Sequence, residues 1–220
     1  MQNGTLYELN RNRCTNCSEI ATIDRSKFLT PDQISKLRRT AEDLAIIGEK
    51  RRLLIAPRDW MIIDLALSTG LRVSEISNLK ECDLFVSNNE FELIVTRGKG
   101  GKRRTVYFDP DLKSHLKKYI IWKHETGKYG DPLIFSKQAP NMCIESFERV
   151  FNKLRDKAGL PSHFSFHSMR HSYATILYAK TRDLRLVQKQ LGHSSPVITA
   201  LYADIVEAQY NKVFEKPLYS

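Results

Sequence analysis

Side chains that could do chemistry fall in four short segments of the 220-residue chain: TGLRVSEI at 69–76, RGKGGKRR at 97–104, HSMRHSYAT at 167–175 and LGHSSPVITALYADI at 191–205. Arg72 follows a glycine-containing break. A guanidinium projecting there offers a planar fork of donors suited to two-point binding of a phosphate. The alternative for Arg72 taken alone is a surface pair with Glu75 one turn on. The second segment holds Arg97, Lys99, Lys102, Arg103 and Arg104 among three glycines. Glycines let backbone approach a ligand closely, so this stretch can lie along a phosphate backbone, with Lys99 as the one side chain placed to donate a proton. A solvated charged turn is the other reading. His167 and Arg170, three apart, share a helical face and pair a proton-exchanging imidazole with a permanent charge. His171 beside them reads as structural and Tyr173 as packing. Gly192 suits a helix C-cap that would aim His193 from the following loop. Tyr202, alone, reads as a half-buried core tyrosine.

The elements that must position these groups are mostly helical. Thr30, Pro31 and Gln33 form a helix start of the capping-box kind, and Ile34, Leu37, Ala41, Leu44 and Ala45 follow at helical spacing toward an end near Gly48. A second apolar helix is expected over 57–68, broken by Thr69-Gly70, and a short one over 71–80. The pattern then changes to strands at 91–96 and 103–108 around a glycine-rich turn, a hairpin with a basic tip. Helices are expected at 111–125, 143–158, 168–180, 183–191 and 195–208, with a short strand at 133–135. The fold class is mainly α with a small antiparallel β-sheet (α+β). Residues 1–28 show little periodicity and read as an arm or linker remnant, 29–220 as one domain.

Composition sets the partner class. The net charge is +10, the pI about 9.5, and apolar residues make up 41% of the chain. A real core can form, and a protein this basic draws a polyanion to it over long range. No apolar run is long enough to span a membrane, and the first residues lack a secretory pattern. Cys14, Cys17, Cys82 and Cys143 are too few and scattered for a disulfide scaffold, which fits a reducing cytoplasm. Cys14 and Cys17 make half a zinc knuckle without a second pair, so they read as incidental thiols and no metal site is expected.

Taken together and in this order, the four segments resemble the catalytic domain of tyrosine recombinases, the phage integrase family. That pattern is an Arg in TGLR-x-x-E, a Lys in a β-hairpin, H-x-x-R, LGH, and a nucleophilic Tyr about nine residues on. Here it falls on Arg72, Lys99, His167, Arg170, His193 and Tyr202, and the likeness spans about residues 28–210. The resemblance implies a site-specific DNA recombinase of integrase or invertase type that works without a metal or nucleotide cofactor. Tyr202 would attack a backbone phosphate and expel a 5′-hydroxyl, leaving a 3′-phosphotyrosyl bond that conserves the phosphodiester's energy until a partner strand reseals it. Arg72 and Arg170 would clamp the non-bridging oxygens, and His193 would add a hydrogen bond. Lys99 would protonate the leaving oxygen, and His167 would help move the phenol's proton. Cationic neighbours are expected to favour the ionised form of Tyr202.

Further expectations follow from the family. The partner is double-stranded DNA carrying specific recombination sites, bound by a homotetramer that is a monomer when free, with accessory DNA-bending proteins as further partners. A tail from about residue 206, with Tyr210, Val213, Phe214 and Leu218, would dock on a neighbouring subunit or on its own domain. The setting would be the cytoplasm of a prokaryotic cell, encoded by host, phage or mobile element. Members usually carry a separate N-terminal DNA-gripping domain, so the chain is expected to be a short member or a fragment. A type IB topoisomerase or a catalytically silent DNA-binding regulator on the same scaffold are the rival readings.

Overall fold

The computed structural model describes residues 27–87, 90–96, 103–136, 141–193 and 202–203. Helix α1 (Pro31–Lys50) begins where the capping pattern sets it: the Thr30 hydroxyl accepts from the Gln33 amide at 3.3 Å, and the Gln33 side chain accepts from the Thr30 amide at 2.9 Å. It runs past Gly48 instead of stopping there. That glycine is a contact point, since a Cβ on it would lie 2.4 Å from the Cβ of Ala56 on the next helix.

Helix α2 (Ala56–Thr69) is buried on every face from Met61 to Thr69, which marks it as the central element. It packs against α1, α4 (Pro110–Glu125), α5 (Ile144–Lys157) and α6 (Phe166–Thr181). Gly70 ends α2 in the left-handed conformation at φ 62°. The next helix, α3 (Val73–Ser77), is shorter than expected because Arg72 is extended as its N-cap and Asn78 ends it.

A 3-10 turn at Glu81–Asp83 leads into β1 (Leu84–Phe85), a two-residue strand too short to show an alternating pattern. It pairs antiparallel with β2 (Glu92–Val95), which pairs antiparallel with β3 (Arg104–Tyr107) in the register Leu93 to Val106 and Val95 to Arg104. Leu93, Val95 and Val106 turn one sheet face into the core. The strand expected at 133–135 is reduced to a single bridge between Phe135 and Asn141. Helix α7 (Leu184–Leu191) follows α6.

Of the helix expected over 195–208, only Tyr202 and Ala203 fall among the described residues, and both have helical backbone. They complete a second apolar cluster with Ala174, Tyr178, Val187 and Leu191. The larger core surrounds α2. No helix among the described residues is long and apolar enough to cross a membrane.

Candidate active site

The site is built around a buried carboxylate. Glu75 lies in the first turn of α3, and its side chain is 2% exposed. Its Oε2 accepts from the Arg72 amide at 2.8 Å, the N-cap half of a capping box. Its Oε1 accepts from Arg72 Nη1 at 3.0 Å, and the two oxygens together take a bidentate pair from Arg104 Nη1 and Nη2 at 2.8 and 2.9 Å. Arg170 Nη1 stands 3.9 Å away. Burial pushes this carboxyl up, but the Arg104 hydrogen bonds and charge, the Arg72 amide and Arg170 outweigh it and hold the group below the usual carboxylate range. One anion therefore gathers three guanidiniums.

Arg170 is pinned from both sides. Helix α6 starts at Phe166, two residues earlier than expected, so His167 and Arg170 both lie in its first turns. Arg170 Nη1 donates to the Gly70 carbonyl at 2.6 Å, and Nη2 donates to the Leu191 carbonyl at 2.7 Å. Both acceptors sit at the ends of helices, where carbonyls lack intrahelical partners. Burial and then the charge of Arg72 lower the Arg170 pKa to about 10, which leaves it charged at neutral pH. The glycine at 70 is required twice over: φ is +62°, and a Cβ would meet Tyr173 Cδ1 at 2.4 Å.

Gly192 caps α7 in the left-handed conformation, as its sequence position suggests, and the chain turns so that the His193 amide donates to Gln188 O at 3.2 Å. The His193 ring stacks on Tyr202, with centroids 6.3 Å apart and planes 14° from parallel. Tyr202 is 1% exposed. Its ring belongs to the apolar cluster of α6 and α7, while its hydroxyl reaches polar surroundings and lies 3.0 Å from His171 Nδ1. His167 packs edge-on against His171 at 4.5 Å and stands at the solvent-facing rim.

Burial first, then the charges around them, lowers the pKa of both His171 and His193 to about 4, so both rings are neutral at pH 7. Partial desolvation, then Arg170 and Arg72, also hold His167 below its ordinary value. At an exposed ring the two fixed charges are the firmer cause. Burial pushes Tyr202 up to about 12 against the pull of Arg170 and Arg72. The expected direction is thus reversed, because desolvation of the phenolate exceeds the cationic attraction.

This arrangement offers a buried phenol in the field of two guanidiniums, with three imidazoles around it, in a chain of net charge +10. A model of the phage integrase family matches residues 27–209. The chain belongs to this family. Tyrosine recombinase XerC of Leptospira interrogans serogroup Icterohaemorrhagiae serovar copenhageni (strain Fiocruz L1-130) is 28% identical over 181 residues, 82% of this chain and 57% of the relative. The crystal structure of XerA recombinase has a TM-score of 0.70 at 26% identity, covering 87% of this chain and 66% of that one. XerH site-specific recombinase bound to its difH substrate, in a pre-cleavage complex, has a TM-score of 0.67 at 25% identity, covering 84% and 52%. The chain spans little more than half the length of curated relatives such as these. The mainly helical fold with its small sheet is that of this family's catalytic domain.

Within the integrase-family pattern, the structure brings Arg72, His167, Arg170, His193 and Tyr202 to one place. Lys99, Arg97 and Lys102 lie outside the described residues, as do Cys14, Cys17 and the tail from about 206. Arg103 is exposed beside β3. Arg104 corrects the expectation of a DNA-facing side chain: its guanidinium is 12% exposed and turned inward to Glu75, and its Nε donates to Gln190 O at 3.0 Å. Arg72 pairs with Glu75, a buried partner and not the surface one expected, while its own side chain stays 28% exposed.

Two participants escaped the sequence reading. Glu75 entered only as a surface partner of Arg72, and its bidentate hold on Arg104, 29 positions away, leaves no local trace. His171 was set aside because it is adjacent to Arg170. Its spacing of four from His167 carries the missed signal, since i,i+4 residues share a helical face. Among the described residues no group of three or more His, Cys, Asp or Glu could hold a metal. The rings of His115 and His124 face Asp64 at 2.8 Å and Glu81 at 2.9 Å.

Proposed function

We propose that this chain is the strand-cleaving and rejoining domain of a site-specific DNA recombinase, with Tyr202 as the nucleophile. The observation that carries this reading is the placement of Tyr202, whose hydroxyl lies 3.0 Å from His171 Nδ1 and whose ring stacks on His193, within the field of Arg170 and Arg72. Attack of the hydroxyl oxygen on a phosphodiester forms a P–O bond while the phenol's proton passes to solvent with the help of His167, and breaks the bond to the 5′-oxygen, which takes a proton and leaves as a hydroxyl. The pentacoordinate transition state gathers charge on its non-bridging oxygens. Arg72 and Arg170, held in place by Glu75, Gly70 O and Leu191 O, supply preorganised positive charge there. His193 adds a neutral donor, and Lys99 protonates the leaving oxygen. The reverse attack by a partner strand's 5′-hydroxyl restores a phosphodiester.

Exchange between two duplexes needs four such sites, so the working form on DNA is a homotetramer. Its duplex carries specific sites, and the setting is the cytoplasm of a prokaryotic cell. Residues 1–28 serve as an arm to whatever precedes the domain. The basic hairpin, Arg103 included, positions phosphates.

The test uses a library of nicked duplexes that lose the cleaved strand end and so trap the adduct. Wild-type protein leaves DNA covalently attached, in the presence of EDTA as in its absence, and sequencing of that DNA recovers the site. Tyr202→Phe binds the same DNA and forms no adduct. An undiminished adduct from that variant refutes the nucleophile. Relaxation of supercoils by a monomer, without strand exchange, would move the assignment to a topoisomerase.

A further inference from the structure

We propose that His171 is a positioning residue for the nucleophile, receiving the Tyr202 hydroxyl's hydrogen bond at Nδ1 and so leaving the phenol's lone pairs turned away from it, free for the phosphorus. This deepens the recombinase reading above and rests on it. The integrase-family pattern uses His167, Arg170 and His193 but leaves the residue after Arg170 without a role. In the structure that residue, and not His167, stands 3.0 Å from the Tyr202 oxygen.

Geometry supports more than incidental contact. His167 and His171 are one turn apart on α6, and their rings meet edge to face at 4.5 Å. The His171 ring centroid is 6.0 Å from that of Tyr202, so His171 stands between an exposed imidazole and a phenol that is 1% exposed. Arg170, the next residue back, is fixed to the Gly70 and Leu191 carbonyls, and α6 therefore holds His171 in a fixed relation to the clamp.

A phenol has one hydrogen. When that hydrogen is given to Nδ1 at 3.0 Å, both oxygen lone pairs face away from His171 and are left free to meet an incoming phosphorus. Given elsewhere, that hydrogen could occupy the side of the oxygen from which phosphorus must arrive. An acceptor at Nδ1 requires the tautomer with hydrogen on Nε2. Burial keeps both partners neutral, helped at His171 by the neighbouring charges and opposed at Tyr202 by Arg170 and Arg72, so the two share one hydrogen bond and no net charge.

The plainer reading is that His171 only satisfies a buried hydroxyl. In that case its loss lowers stability and leaves the reaction rate unchanged. The experiment compares wild type, His171→Ala, His171→Asn and Tyr202→Phe in the 220-residue chain, on a nicked duplex carrying the sequence recovered from the wild-type adduct. Melting temperature, DNA affinity and the single-turnover rate of adduct formation at saturating protein are measured for each. Asparagine places Oδ1 close to where Nδ1 stands, keeping an acceptor without an imidazole.

We expect His171→Ala to slow adduct formation roughly three- to tenfold, the worth of one neutral hydrogen bond, at unchanged DNA affinity. His171→Asn should return to within about twofold of wild type. An Ala variant as fast as wild type overturns the proposal, and so does an Asn variant as slow as Ala. Nitrogen-15 NMR of the wild-type histidines, with the His171 signal assigned by its loss in His171→Asn, should show hydrogen on Nε2. Hydrogen on Nδ1 overturns the direction of the bond whatever the variants do. Adduct formation by Tyr202→Phe would instead sink the recombinase reading itself, a different outcome from failure at His171.

Discussion

Glutamine in place of Glu75 tests whether one buried anion assembles the arginine cluster. Glu75 is 2% exposed and takes hydrogen bonds from the Arg72 amide, Arg72 Nη1 and both terminal nitrogens of Arg104. Glutamine keeps the volume, but one of its two terminal atoms becomes an NH2 group facing guanidinium donors. Arg104, 12% exposed, is then a buried cation without its counter-ion, and Arg170, 2% exposed, loses a neighbouring negative charge. Removing one partner of a buried pair costs about 3–5 kcal/mol. Arg72 is more open, and screening leaves it a minor share. Urea titration should show the midpoint falling with the slope unchanged.

The pH dependence supplies a second reading of the same substitution. Glu75 has a folded pKa below its ordinary 4.5, so between those two values the unfolded chain binds more protons. Its stabilisation is present above the unfolded value and lost as pH falls through the folded one. Glu75→Gln should flatten that part of the acid limb. A loss under about 1 kcal/mol at pH 7, or an acid limb unchanged from wild type, would refute the carboxylate's organising role.

Three other outcomes are expected. Gly70→Ala forces a left-handed alanine whose Cβ meets Tyr173 and Leu191, and about 2–5 kcal/mol of strain and overpacking should lower the melting temperature and disturb the carbonyl that holds Arg170; a fully stable, fully active variant would contradict this. Arg170→Ala should slow adduct formation about 100- to 1,000-fold while DNA affinity changes little, and near-normal cleavage would break the clamp. Between pH 7 and 9 the rate of adduct formation should be nearly flat, because Tyr202 at about 12 keeps its proton while His171 and His193 at about 4 stay neutral; a tenfold rise per pH unit would show that the phenolate must form in advance.

The fold was legible where short-range signals act. The Thr30–Gln33 capping box, the Gly70 break and the Gly192 cap are each local, and each is where the pattern sets it. Gly48 misled because a glycine serves equally to end a helix and to admit a close neighbour, and only the packing of Ala56 against it decides which. Strand β1 was missed since two residues show no period; its pairing with β2 creates it. In the site, the resemblance of four segments, in their order and spacing, to the integrase-family pattern is what pointed to Arg72, His167, Arg170, His193 and Tyr202 as one set. Taken singly, Arg72 and Tyr202 read as a surface pair and a core residue. Arg104 was misread because a basic stretch looks the same whether its side chains face DNA or a carboxylate distant in sequence. The shift of Tyr202 was misread because charges are visible in a sequence, whereas the desolvation that outweighs them is not.

That desolvation bears on how the two arginines act. At a pKa of about 12, ionising Tyr202 at pH 7 costs about 7 kcal/mol before any bond is made. A step of about one per second allows a barrier of about 17 kcal/mol, so advance ionisation would take a large part of it. An arriving phosphodiester makes matters worse, since it brings negative charge and draws the field of Arg170 and Arg72 onto itself. In the proposed reaction, losing the phenol's proton as the P–O bond forms avoids most of that cost, because charge would pass from the phenolic oxygen to the phosphoryl oxygens assigned to the guanidiniums. Arginines that had stabilised the free phenolate would have spent their interaction on the ground state. With Tyr202 neutral and Arg170 tied to two carbonyls, the proposed clamp would exert its pull chiefly at the transition state, where it would accelerate the reaction.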